Sequence, residues 1–282
     1  MNLQILGIYR EVEFSPGKVG ADRAIMDAVL DHLRAMGART VALEAPAFVA
    51  SPSPDAQLVL AMCQGGDALG RLAAVEEAGA VVINSALAIR NCYRDLLGLG
   101  LSKARVPAPA GAVVRTAAPL DFTALQALDL SRPVYVKRGD LHALAEEDVS
   151  RVTGATRLEA TLIRFAQRGI RQAYIQQEVE GTVVKFYGVG NGEQYFSTIE
   201  DDGFRLAESV CRQLVVAAGR GAQALGLEVW GGDAVVATSG FSVIDFNDWP
   251  SFERVRLEAA AAIARRGLER MRRHSLNRDL AG

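Results

Sequence analysis

Gly231-Gly232-Asp233-Ala234-Val235-Val236-Ala237-Thr238-Ser239-Gly240-Phe241-Ser242-Val243-Ile244-Asp245-Phe246-Asn247-Asp248 is the stretch whose reading decides the fold. Residues 234–237 and 242–246 read as two strands, with Ser239-Gly240 turning the chain between them. Side chains at i and i+2 of a strand share a face, so Asp245 and Asn247 point the same way. Asp233 stands just before the first of these strands, and the turn carries it to the same place. Hard oxygen donors in such a group suit Mg2+, which also takes oxygens from nucleotide phosphates. Asp and Asn ahead of Trp249-Pro250 are equally the residues of an ordinary turn. Both readings stand at this point.

Upstream lie three segments that bear on the choice. Val134-Tyr135-Val136-Lys137 closes an apolar, β-branched run with an ammonium. A buried ammonium needs an anionic partner, and phosphate would serve; a lysine at a strand end can also snorkel to water. Tyr174-Ile175-Gln176-Gln177-Glu178-Val179-Glu180-Gly181 is a strand that stops in polar and acidic residues. Backbone groups past such a stop are unpaired and can meet an adenine edge, with Glu180 placed to accept from ribose hydroxyls. Val183-Val184-Lys185-Phe186-Tyr187 sets Lys185 inside an apolar strand, where a nearby anion is its best explanation and a wet face of an amphipathic edge strand is the other reading.

Further out, the first part of the chain alternates. Residues 4–8, 40–43, 58–63 and 81–83 read as strands, and residues 22–36 and 69–78 as helices that stop at Gly37 and Gly79. Alternation of this kind implies a parallel sheet with helices on its faces, and ligands in such sheets sit beyond the C-terminal strand ends. That directs attention to residues 9–18, 64–67 and Asn84-Ser85. Residues 45–54, rich in Ala, Pro and Ser, read as a surface loop, and Val106-Pro107-Ala108-Pro109 as a linker. Beyond it, residues 147–169 read as one helix weakened at Gly154, 210–225 as another and 253–273 as a third, with strands at 113–114, 173–177, 183–189 and 194–198 and a short one at 228–230. Gly190-Asn191-Gly192 marks a hairpin.

Composition removes several function classes. Half of the 282 residues are hydrophobic, enough for a sizeable core, yet no apolar run approaches the ~20 residues that span a bilayer. A net charge of −2 gives no basic excess for nucleic acid. The run Arg265-Arg266, Arg270, Arg272-Arg273-His274 reads as a solvated helix face. Cys63, Cys92 and Cys211 are too scattered for a metal pair or a disulfide framework and read as reduced core thiols. The N-terminus lacks the pattern of a signal peptide, so the expected compartment is the cytoplasm.

Taken in order, strand lysine, acidic hinge, interior basic residue and Asp…Asp-x-Asn resemble the ATP-grasp superfamily. Val82-Ile83-Asn84-Ser85, Ala88-Ile89, Arg94-Asp95 and Val106-Pro107-Ala108-Pro109 resemble the entry into the ATP-grasp core of ribosomal-protein glutamyl ligases and glutathione synthetases. Leu225-Gly226-Leu227 through Gly232-Asp233 resembles the segment before the family's first metal ligand. The resemblance runs from about residue 81 to the end of the chain.

This resemblance implies an α/β (α+β) fold. A Rossmann-like pre-ATP-grasp parallel sheet over 1–105 precedes an ATP-grasp fold of two subdomains, 106–175 and 176–282. It implies ATP and Mg2+ as cofactors, two ions with Mn2+ as a substitute. Lys137 would lie on the nucleotide phosphates, Gln177, Glu178 and Val179 would face adenine, and Glu180 the ribose. Lys185 would lie near the transferring phosphate, with Arg94 as the second candidate catalytic residue, and Asp233, Asp245 and Asn247 would be the metal ligands. Two departures stand out. Asp245 occupies a position where many members have Glu, and the glycine-rich loop after the first lysine is reduced to Arg138-Gly139-Asp140-Leu141-His142, so that Arg138 or His142 would take over part of its work. The implied activity is an ATP-dependent carboxylate–amine or carboxylate–thiol ligase working through an acyl phosphate on a small anionic substrate. The alternatives are a kinase of the inositol-phosphate type, for which Arg10, Lys18, Arg90 and Arg94 offer a modest basic set, and a nucleotide-binding protein without turnover. No nucleic acid or membrane is expected as a partner, and relatives are often dimers or tetramers.

Overall fold

The computed structural model describes residues 3–52, 55–141, 143–200 and 204–281, with side chains of the last helix described as far as residue 277. Three four-stranded sheets make up the frame. In the first, β1 (Gln4–Tyr9), β2 (Arg39–Glu44), β3 (Leu58–Ala61) and β4 (Val81–Ile83) pair in parallel in the order β2-β1-β3-β4. The crossovers are α1 (Val19–Ala35), α2 (Ala45–Ala50) and α3 (Gly66–Glu77). α1 buries Ile25, Met26, Val29, Leu30 and Leu33, one helical stripe, against Ile5 of β1. Gly7 lets it approach: a Cβ there would lie 2.9 Å from Met26 Sδ. The α/β reading of this region therefore holds, with one correction. Residues 45–50 are a helix rather than a loop, with proline in its first turn and Phe48 fully buried beneath the sheet. Residues 53 and 54 of that stretch lie outside the described residues.

Next come α4 (Ala86–Asn91) and α5 (Arg94–Lys103), which lead to the second sheet. Its strands β5 (Gly111–Arg115), β6 (Val134–Arg138), β7 (Val149–Val152) and β8 (Gln172–Gln177) pair antiparallel in the order β5-β8-β6-β7. One face is covered by α6 (Ala155–Gln167) through Leu158, Leu162 and Phe165. Here the expected helix over 147–169 is divided: Val149–Val152 is a strand, and the helix begins only after Gly154. Gly154 has φ +88°, a conformation that L side chains rarely adopt, so it is a boundary and not a weak interior point.

In the third sheet, β9 (Thr182–Val189), β10 (Tyr195–Ile199), β11 (Val229–Ala237) and β12 (Gly240–Asp248) pair antiparallel as β10-β9-β11-β12, with α7 (Glu208–Leu225) on one face. The pieces expected at 228–230 and 234–237 are one strand, bent by a register shift between Asp233 and Ala234. Under the sheet, Phe186, Trp230 and Phe246 pack with centroids 5.4–6.1 Å apart, and Trp230 Nε1 donates to Gly190 O at 2.7 Å. α8 (Arg256–Ala281) then returns to the first sheet and packs Ala259, Ala260 and Ile263 into the α1 core. Its basic run is not uniformly solvated: Arg266 Nε and Arg270 Nε both donate to the Glu228 carboxylate at 2.6 Å. Cys63 and Cys92 are fully buried, burial raises their thiol pKa values, and all three cysteines are free. Among the described residues no helix is long and apolar enough to cross a membrane.

Candidate functional site

Alternation along the third sheet sorts its side chains. Phe186, Trp230, Ala234, Val243 and Phe246 face α7, which leaves Lys185, Asp233, Asp245 and Asn247 on the opposite, open face. Register sets them in rows. Asp233 lies opposite Lys185 on one side and opposite Asp245 on the other, while Gly231 separates Tyr187 from Asn247 in the next row. The sequence reading that puts Asp233, Asp245 and Asn247 in one place thus matches the geometry. Lys185 does have the nearby anion expected for it, but it is not an interior cation. Its side chain is 51% exposed on the cleft face, and Nζ donates to Asp233 Oδ1 at 2.9 Å. Burial acts against its charge, but Asp233 outweighs it and the pKa is raised.

A bulge supplies the next feature. Ladder partners step from Asp245 to Val243, so Ile244 is left out of the β11–β12 pairing. Its carbonyl accepts instead from Lys137 Nζ and Gln176 Nε2, each at 3.2 Å, across the cleft from the second sheet. Lys137 is 7% exposed, and burial lowers its pKa despite Asp245 nearby. Arg94, at the start of α5, reaches the same point: Nη2 donates to Asp245 Oδ2 at 3.2 Å. Its side chain is 6% exposed, yet Nε and Nη1 have no hydrogen-bond partner among the described residues. Buried guanidinium donors without acceptors mark a place for an anion.

These residues line two adjoining cavities. One is walled by Arg10, Ser15, Lys18, Gln64, Tyr187 and the acidic row; the other lies between α5 and the second sheet and holds Lys137, Tyr174 and Gln176. Arg94 and Asp245 border both. The ends of the parallel strands do reach the first cavity, but mostly as a brace. Arg10 donates to Asp22, to Met62 O, and to the carbonyls of Asp248 and Trp249 at 3.0 and 2.7 Å. Glu11 accepts from the backbone N–H groups of Gln64 and Gly65, and Gln64 Nε2 donates to Asp248 Oδ1 at 2.8 Å. Asn84 is not in the cavity: it accepts from Glu228 N and Val229 N and donates to Val229 O, pinning the start of β11. Ser85 caps α4 through Ala88 N.

The hinge differs from the expectation. Gln177 N–H donates to Ala110 O and Glu178 N–H to Pro133 O, so neither donor is left unpaired by the strand end. The Gln177 side chain is tied to Asp129 and Pro133, and Glu178 makes a bidentate pair with Arg151 at 2.7 and 2.8 Å. Val179 is half-buried and Glu180 exposed beyond the strand. Arg138 is also committed elsewhere, to Asp140 at 2.7 Å and to buried Asp148 at 3.5 Å. Asp148 in turn accepts from Leu144 N, Ala145 N and Arg168, which anchors the far end of the short loop. His142 lies outside the described residues.

No protein-family model matches the chain, and no curated protein matches it. Solved structures do. D-alanine–D-alanine ligase from Coxiella burnetii aligns with a TM-score of 0.76 at 14% identity, covering 99% of this chain and 98% of that one. The D-alanine–D-alanine ligase from Bacillus anthracis, solved complexed with ATP, gives 0.72 at 13%, covering 98% and 99%. A RimK domain ATP-grasp protein from Sphaerobacter thermophilus gives 0.67 at 20%, covering 94% and 99%. This chain has the ATP-grasp fold. At these identities the likeness is one of fold. Within the ATP-grasp frame, the cleft between the second and third sheets is where Lys137 meets the bulge of β12. Among the described residues no three His, Cys, Asp or Glu side chains converge. The acidic row is two carboxylates and an amide, which suits a cation that shares its coordination with phosphate rather than one caged by protein.

Proposed function

We propose that the chain is an ATP-dependent ligase that activates the carboxylate of a small molecule or peptide as an acyl phosphate and passes it to an amine or thiol. The observation that carries this reading is the Lys185–Asp233–Asp245 row with Arg94 beside it, since Arg94 holds two buried donors in want of an anion. Lys137 and Arg94 would bind nucleotide phosphate oxygens, and Lys185 would face the transferring group. Asp233, Asp245 and Asn247 would hold Mg2+, which neutralises charge on phosphoryl oxygens. Positioning and electrostatics do most of the work in such a transfer. Several solved structures of similar fold are named as ligases, D-alanine–D-alanine ligase and a D-Ala:D-Ser ligase among them.

The kinase alternative loses ground on charge. Of the basic residues that would receive a polyphosphate, Arg10 is held by Asp22 and three carbonyls, and Arg90 makes a bidentate pair with Asp95 at 2.7 and 2.8 Å. Incubation with Mg-ATP and a panel of carboxylates, amino acids and thiols tests the reading. A ligase releases ADP and free phosphate only with the right pair. A phosphorylated product without free phosphate would replace this reading by the kinase, and failure to bind nucleotide in calorimetry would remove both.

A further inference from the structure

The acidic row is already occupied by the protein's own cations. Lys185 Nζ sits 2.9 Å from Asp233 Oδ1, and Arg94 Nη2 sits 3.2 Å from Asp245 Oδ2. Lys137 stands behind them on the Ile244 carbonyl. Among the described residues three cations face these two carboxylates, an excess of one positive charge. Among the described residues lining the rest of the first cavity, Arg10 and Lys18 equal Asp22 and Asp248 in number, so that net charge is unchanged.

A divalent ion arriving alone would have to displace Lys185 and Arg94 from their carboxylates. Lys185 can turn to water, being half exposed. Arg94 cannot: it is 6% exposed, and the displaced Nη2 would join Nε and Nη1 as buried donors without acceptors. An unpaired buried charge is strongly unfavourable. An ion that comes with phosphate oxygens avoids this, since those oxygens take over Arg94 and Lys185 as the metal takes over Asp233 and Asp245. We infer that Lys185 and Arg94 are placeholder cations that make the acidic row reject a bare divalent ion and admit one only when it is already bonded to a nucleotide polyphosphate. This rests on the nucleotide-binding reading above.

Free Mn2+ measured by electron paramagnetic resonance tests it on the full chain. With MnCl2 alone the wild type should bind weaker than about 1 mM. Adding ADP should bring Mn2+ onto the protein at least tenfold more tightly than protein or ADP accounts for separately. Lys185→Met, and Lys185→Gln as a polar control, should each tighten Mn2+ binding in the absence of nucleotide by about tenfold, because one competing charge is gone. Circular dichroism shows whether each variant keeps its fold. Wild-type protein that binds bare Mn2+ as tightly as in the presence of ADP would overturn the inference and leave the nucleotide reading intact, as would folded Lys185 variants with unchanged Mn2+ affinity. Absence of any ADP-dependent Mn2+ binding would overturn the nucleotide reading and this inference together.

Discussion

Two regions bring charged side chains to the same cavity and use them in opposite ways. At the ends of the parallel strands, Arg10, Glu11, Asp22 and Gln64 are consumed by one another and by backbone groups. On the third sheet and the start of α5, Lys185, Asp233, Asp245 and Arg94 leave capacity over: a half-exposed ammonium, two carboxylates held by the protein's own cations, and two guanidinium donors without acceptors among the described residues. Charge alone does not mark a binding residue; unspent hydrogen-bonding capacity in a cleft does. The first region is therefore expected to govern stability and the second activity.

The sharpest way to break that division is Asp245→Asn. The amide keeps an oxygen for Phe246 N, so the strand end survives, but the charge that faces Arg94 is lost. Turnover should fall roughly a thousandfold, in line with loss of a group that organises phosphoryl transfer. Retained turnover in a folded variant would remove Asp245 from the site. The opposite case is Arg10→Met. It removes four hydrogen bonds and leaves the Asp22 carboxylate, 6% exposed, without its cation. Denaturant unfolding should show a loss of about 3 kcal/mol. Nucleotide affinity of the folded protein should stay within a few-fold of wild type. A variant that is stable but cannot bind nucleotide would place Arg10 with the second region.

How far this division is legible in the sequence depends on range. The i, i+2 spacing of Asp245 and Asn247 fixes their common face, and strand–helix alternation announces the parallel sheet. Arg10 is different: its acceptors Asp248 and Trp249 lie 238 and 239 residues away, so nothing local separates a clamped arginine from a free one. The bulge at Ile244 leaves no mark in the apolar pattern, yet it turns the carbonyl that holds Lys137. The exposure of Lys185 is hidden from the sequence for a related reason. With Val183 and Tyr187 as its neighbours on the same face, alternation looks uniformly apolar, and only the open cleft above shows that face to be wet. The hinge donors of Gln177 and Glu178 are taken by Ala110 and Pro133, contacts set by the path of the linker and of the loop before β6.

Lys137→Met separates function from stability within one residue. Burial depresses the ammonium's folded pKa below its unfolded value. The unfolded chain therefore holds that proton more tightly, and the folded state carries a penalty at every pH below the folded pKa, relieved as pH rises toward the unfolded one. Methionine removes the charge and keeps the volume, while Gln176 still serves the Ile244 carbonyl. Stability at neutral pH should be unchanged or rise by about 1 kcal/mol. Nucleotide affinity should collapse in calorimetry. A clear loss of stability would make Lys137 part of the frame rather than of the unspent set.

Lys18 is the smallest and most diagnostic case. It lies exposed on the lip of the first cavity and makes no ion pair among the described residues, although its neighbours Arg10 and Asp22 do. Among the described residues it is the one basic group of the parallel-strand loops bordering that cavity with capacity left. Lys18→Ala should shift stability by less than about 0.5 kcal/mol, as expected for an exposed side chain without partners. If unspent charge is what marks a binding residue, the same variant should raise KM for the anionic substrate several-fold and leave KM for ATP unchanged. Equal effects on both constants would place Lys18 on the nucleotide, and no effect on either would confine recognition to the third sheet and α5.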